Sequence, residues 1–206
     1  MPPLDLTQID VEVGVDMSAS MLTDDCTGGA TRWSFLQETV LGVVAVAAKT
    51  HPEGIPVTVF ARRFQTYNGV KDAAGVNNIF TENDPFGGTD TAGFLQNRLD
   101  AYFARQKAGG AKPLVMIVFT DGRPDNEEAL EKLIANSSKQ LGGDRTKLGI
   151  SFIQIGGDKG ATQYLETLND GLTAKYPGAL DIVNCQTALA VENLGVKELV
   201  NLAFTQ

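Results

Sequence analysis

Three separated fragments, Asp16-Met17-Ser18-Ala19-Ser20, Gly88-Thr89-Asp90-Thr91 and Thr120-Asp121-Gly122, each end a predicted strand in small oxygen-bearing side chains. Together they supply the Asp, two Ser, Thr and Asp of a divalent-cation site. Mg²⁺ is a hard ion that takes near-octahedral oxygen coordination, keeps some of its waters and is rarely enclosed by protein alone. Hydroxyls are neutral ligands, so an ion held directly by Ser18, Ser20 and Thr89 keeps most of its charge. Asp16 and Asp121 then act as outer acceptors that hold the remaining waters. Such an ion is electrophilic and has an open position, whose natural completion is a carboxylate from another molecule.

Each fragment also has a plainer reading. Asp-x-Ser-x-Ser can cap a following helix, because Asp and Ser accept hydrogen bonds from its free amides. Gly87-Gly88-Thr89 can be a loop and helix cap, and Asp121-Gly122 an ordinary turn. It is the conjunction at strand-to-loop junctions that favours the metal.

In that order, Asp-x-Ser-x-Ser, Gly-Thr-x-Thr and Thr-Asp-Gly resemble the metal-ion-dependent adhesion site of von Willebrand factor type A domains, including integrin I domains, and the order of elements fits along nearly the whole chain. The resemblance implies direct ligation by Ser18, Ser20 and Thr89, action through water by Asp16 and Asp121, and a partner's acidic side chain at the last position. The ion would be Mg²⁺ or Mn²⁺, with Ca²⁺ a further candidate. One departure is Ala19, where the family usually has Gly. The binding face would be rimmed by Met21 to Thr31, Thr81 to Phe86 and Arg123 to Asn126, with Phe86 and Arg123 as candidate partner-binding residues. Integrin beta subunits place an acidic pair after their serine motif to hold a neighbouring ion, which makes Asp24 and Asp25 a candidate for a second one. In integrin I domains a carboxyl-terminal helix shifts as the metal changes ligands. Here Gly195 divides that segment, and the expectation is a site of nearly fixed affinity.

The elements that must position these residues follow from periodicity. Ile9, Val11, Val13 and Val15 alternate with Asp10, Glu12, Gly14 and Asp16 as a strand, although Glu12 is unexpected in a central parallel strand. A helix is expected from Arg32 to Lys49 on the spacing of Trp33, Leu36, Val40, Val43, Val44 and Ala47. Ile55 to Phe60 and Phe64 to Val70 read as an antiparallel edge pair, and Asn77 to Phe86 as a short helix or irregular link. Ala92 to Gln106 is a helix, Leu114 to Phe119 a fully buried strand and Glu127 to Leu141 a helix. Strand 148–155, helix 161–168, strand 180–183 and a broken helical tail from Thr187 to Phe204 follow. This alternation predicts an α/β fold: a Rossmann-like, doubly wound, mostly parallel central sheet with helices on both faces, in one domain spanning residues 1–206. The single antiparallel edge strand agrees with what the resemblance implies. Ligands in such sheets bind beyond the carboxyl ends of strands, where the two Asp-bearing strand ends would meet.

Composition narrows the function. A net charge of -8 with no basic run disfavours nucleic-acid and anionic-membrane partners. No apolar stretch reaches the length of a bilayer span, and the amino terminus lacks a signal-peptide pattern, so the chain reads as cytoplasmic. Cys26 and Cys185 are too few for a disulfide framework. The only histidine, His51, reads as a solvated boundary residue beside Pro52, which removes a histidine-centred triad. No Gly-x-Ser-x-Gly elbow or phosphate-binding glycine loop is present. The expectation is therefore a non-enzymatic, cation-dependent protein-binding module. The alternatives are a metal-dependent hydrolase and a scaffold subunit of an ATPase, chelatase or metal-resistance assembly.

Overall fold

The computed structural model describes residues 5–191 and 196–204. Six strands, β1 (Asp10–Asp16), β2 (Ile55–Phe60), β3 (Phe64–Val70), β4 (Leu114–Thr120), β5 (Leu148–Gln154) and β6 (Val183–Thr187), form one sheet in the order β3-β2-β1-β4-β5-β6. Only β2 and β3 pair antiparallel, and that pair forms the expected edge, with a register shift between Ile55 and Val57. The connecting helices are α1 (Arg32–Ala47), α2 (Ala73–Glu82), α3 (Thr91–Lys107), α4 (Glu127–Lys139), α5 (Lys159–Lys175), α6 (Ala188–Val191) and α7 (Val196–Phe204). Side chains of Thr31, Asp72, Asp90, Asn126 and Asp158 accept hydrogen bonds from first-turn amides of α1 to α5, so each of these helices has its own polar start signal.

The alternation in β1 divides the two layers of core. Val11, Val13 and Val15 pack with α1, α2 and α7. The opposite face meets α3, α4 and α5, to which β4 contributes Leu114, Met116 and Val118. Glu12, the third residue of β1, falls on that second face and is buried because α3 brings a cation to it. Arg98 Nε donates to its Oε2 at 2.8 Å, and Arg105 Nη2 lies 3.4 Å from Oε1. Gly14 is the next residue on the same face, and a Cβ there would lie 2.6 Å from the Phe94 ring, which stacks on Phe60 with centroids 4.5 Å apart. Gly14→Ala should therefore destabilise the fold by about 1–3 kcal/mol through overpacking. Urea unfolding with an unchanged slope would register this, and a shift below a few tenths of a kcal/mol would contradict it.

The structure corrects several boundaries. α2 is a full helix that begins at Ala73, four residues before the expected link, because Asp72 caps it at Gly75 N. The Gly88 fragment accordingly follows a helix and a loop, not a strand. α5 continues through Asp170-Gly171 to Lys175, since Leu168 and Leu172 prolong its buried stripe. The last strand lies at Val183–Thr187 instead of 180–183 and pairs with β5. The expected break at Gly195 lies outside the described residues. α7 packs closely on the sheet: a Cβ at Gly149 of β5 would lie 2.7 Å from the Ala203 carbonyl oxygen. His51 is buried, not solvated. Its Nε2 donates to the Ile9 carbonyl at 2.8 Å, bracing the end of α1 against the start of β1.

Candidate metal centre

β1 and β4 are neighbours with parallel register, and their carboxyl ends deliver Asp16 and Thr120-Asp121 to the same corner. Asp16 is fully buried. Its Oδ1 accepts from Ser18 N at 2.8 Å, and its Oδ2 accepts from the Thr120 hydroxyl at 2.7 Å. Burial, together with the nearby Asp121 charge, pushes the Asp16 carboxyl up to about 7 against the opposing effect of these hydrogen bonds.

The chain turns sharply after Asp16 and enters a short 3-10 turn at Ala19–Leu22. This turn places the Ser18 and Ser20 hydroxyls 3.0 Å apart, and Ser20 Oγ donates to Asp121 Oδ1 at 2.9 Å. The Thr89 segment is tied to both neighbours through its backbone. Ala19 N donates to the Gly87 carbonyl at 3.2 Å, and Asp125 N donates to the Thr89 carbonyl at 2.9 Å. Gly88 lets the Asp125 carboxylate lie close, since a Cβ there would be 2.5 Å from it and the exposed Asp125 side chain would have to turn away. Thr89 is buried between the two loops.

The plainer readings hold in part. The Gly88 fragment does start a helix, since its Asp90 caps α3, whereas Ser18 opens the 3-10 turn without a side-chain cap. The hydroxyls of Ser18 and Ser20 and the Asp121 carboxylate instead form a hydrogen-bonded chain.

Arg32 is a participant that the sequence reading left out. Its Nη1 donates to Asp121 Oδ2 at 2.7 Å, while Nε and Nη2 engage both oxygens of Asp25 at 2.8 and 2.6 Å. The guanidinium holds the Asp25 carboxyl below the usual range, and the bond to Asp25, with Asp121, raises Arg32 itself. The available signal was its place on the stripe of Leu36 and Val40, where a charge at an apolar position needs partners. Asp25 is thus committed to Arg32, while Asp24 is exposed. Among the described residues no group of three or more His, Cys, Asp and Glu is placed to hold a metal, so Asp24 and Asp25 form no carboxylate cage.

Phe86 and Arg123 occupy the loops around this corner. Phe86 N donates to the Met17 carbonyl at 2.8 Å, and its half-exposed ring lies under the Arg63 guanidinium at 5.1 Å. Beside it opens a cleft of about 510 Å³ lined by Met17, Arg63, Phe64, Glu82, Asp84 and Phe86, among others. Arg123 is exposed and ion-paired with Glu127 at the start of α4. Among the described residues no helix is long and apolar enough to cross a membrane.

No family model matches the chain, and no curated protein does. Solved structures do. The SpRpn10 VWA domain superposes with a TM-score of 0.61 at 15% identity, covering 86% of each chain. Manganese-loaded Plasmodium vivax TRAP protein gives 0.58 at 16% identity, over 97% of this chain and 73% of that one. An aerotolerance-related membrane protein from Bacteroides fragilis gives 0.60 at 14% identity, over 95% and 98%. At such identities the likeness concerns architecture, and with the strand order and the antiparallel edge it leads to one conclusion: this chain has the von Willebrand factor type A fold.

Proposed function

We propose that the protein is a non-catalytic binding module that uses a divalent cation, Mg²⁺ or Mn²⁺, to recognise an acidic residue of a protein partner. The observation that carries this reading is the convergence of Ser18, Ser20 and Asp121 oxygens at a strand-end corner where none of them caps a helix. The donor set suits a hard ion, because it combines neutral hydroxyls with the carboxylates of Asp16 and Asp121. Ser18, Ser20 and Thr89 would hold the ion, and Asp16 and Asp121 would orient its waters. When bound, the cation supplies the positive charge that attracts a partner's carboxylate. Manganese in the TRAP structure supports a cation on this fold. Phe86, Arg123 and the cleft beside Phe86 would contact the partner around the acidic residue, as rim and anchor groups do at other interfaces. The only imidazole, the commonest general base, is buried against Ile9 at the opposite end of β1 and out of reach of the corner.

Calorimetric titration with Mn²⁺ tests the site. The wild type should show one main site that is much weaker in Ser20→Ala and Asp121→Ala, and binding unchanged in both variants would remove the assignment. Partner capture should likewise be abolished by a chelator and restored by excess Mg²⁺.

A further inference from the structure

Arg32 is a charged residue whose side chain is only 9% exposed, at the first turn of α1, and three separate chain segments hold it. Asp25, in the loop after β1, takes two of its donors, and Asp121, beyond β4, takes a third. The third wall is Gly156 after β5, whose φ of 73° only glycine adopts comfortably. A Cβ there would lie 2.4 Å from Arg32 Nε and 2.8 Å from Cζ. The guanidinium is therefore fixed in place. It shares Asp121 with Ser20, one oxygen each, so a single carboxylate separates this positive charge from a hydroxyl of the cation site.

We propose that Arg32 is a built-in counter-cation that sets the affinity of the metal centre, with Asp25 as its tether and partial neutraliser. This rests on the cation reading above and adds to it the residue that tunes it. A positive charge one carboxylate away opposes a divalent ion, since charge interactions in a partly buried corner are screened far less than in water. It also draws on the charge of Asp121 that would otherwise serve the ion. Asp25 offsets part of that effect, so the two residues act in opposite directions on ion binding although they are bonded to each other.

The opposite signs separate this role from a merely structural one. Loss of an architectural bond loosens Asp121 whichever partner is removed, and both substitutions would then weaken the ion. The experiment is Mn²⁺ calorimetry on wild type, Arg32→Met, Arg32→Lys and Asp25→Asn, each verified as folded by its thermal transition. Arg32→Met is expected to bind Mn²⁺ about tenfold more tightly, Asp25→Asn several-fold more weakly, and Arg32→Lys close to wild type because it keeps the charge. Tighter binding in Arg32→Met when the wild type binds too weakly to measure would equally support the proposal. Wild-type binding that Arg32→Met leaves equal or weakens overturns the counter-cation role alone. Absence of Mn²⁺ binding in all four proteins overturns it together with the cation site.

Discussion

Asp16→Asn will weaken Mn²⁺ binding by about 10–100-fold, the range typical of a lost outer-shell partner, and will leave the fold intact. Asparagine has the same shape, so its side-chain oxygen can still accept from Ser18 N, and its amide can donate to the Thr120 hydroxyl, which reverses its role. What disappears is a fully buried negative charge next to Asp121. In the ion-free protein that charge is costly, as the raised Asp16 carboxyl indicates, so the ion-free variant should melt no lower than wild type. The two measurements are informative together. Equal Mn²⁺ affinity in wild type and variant would show that Asp16 orders the turn and nothing more, whereas weak binding with a lowered melting temperature would point to a collapsed corner.

Arg98→Met will cost about 3–5 kcal/mol of folding stability, the penalty for leaving a buried carboxylate without its main partner. Glu12 is 5% exposed and Arg98 12%, so neither charge can turn to solvent without rearranging α3. Arg105 lies at 3.4 Å from Glu12 and is much more exposed, which makes it a poor replacement. The double variant Glu12→Met with Arg98→Met should recover most of the loss, because a matched apolar pair in the same space incurs no charge desolvation. Denaturant unfolding of these two variants and of Glu12→Met alone completes the cycle. A single-variant loss below about 1 kcal/mol would mean that the pair behaves as a surface bridge.

Glu12 also shows how much was legible in the sequence. The period-two pattern of β1 marked the strand, and the carboxylate within it stood out as an anomaly. Its partner could not be read, because Arg98 lies 86 residues away and nothing local links them. The sheet and most helices were legible for a physical reason: their apolar spacing is dictated by the layers they bury. Boundaries failed where packing prolonged an element, as in α5, whose buried stripe runs on to Leu172 beyond the expected end at Leu168. Of the three fragments, the structure brings Ser18, Ser20 and Asp121 into one hydrogen-bonded chain, while the Gly88 fragment follows a loop and joins them through backbone bonds. Arg32 was missed because its side chain reaches Asp121 at this corner while its spacing belongs to the core helix. His51 was misplaced because a proline neighbour suggested a solvated turn, whereas the Ile9 carbonyl gave the ring a buried partner.

The close approach of Ala203 to Gly149 bears on whether such a domain can work as a piston. A helix that slides along a sheet needs a smooth track, with each side chain exchanging one shallow seat for the next. α7 instead rests its backbone in a notch that exists only where β5 has no side chain, and it is keyed there by Leu199, Val200, Ala203 and Phe204, all buried. An axial step would drive α7 against side chains of β5 that have no such notch. The segment is therefore a wedge that holds the sheet's layer together, and cutting it away would expose core instead of releasing a lever. Mechanical signals in this molecule, if it carries any, have to travel by tilting or unseating that wedge as a whole.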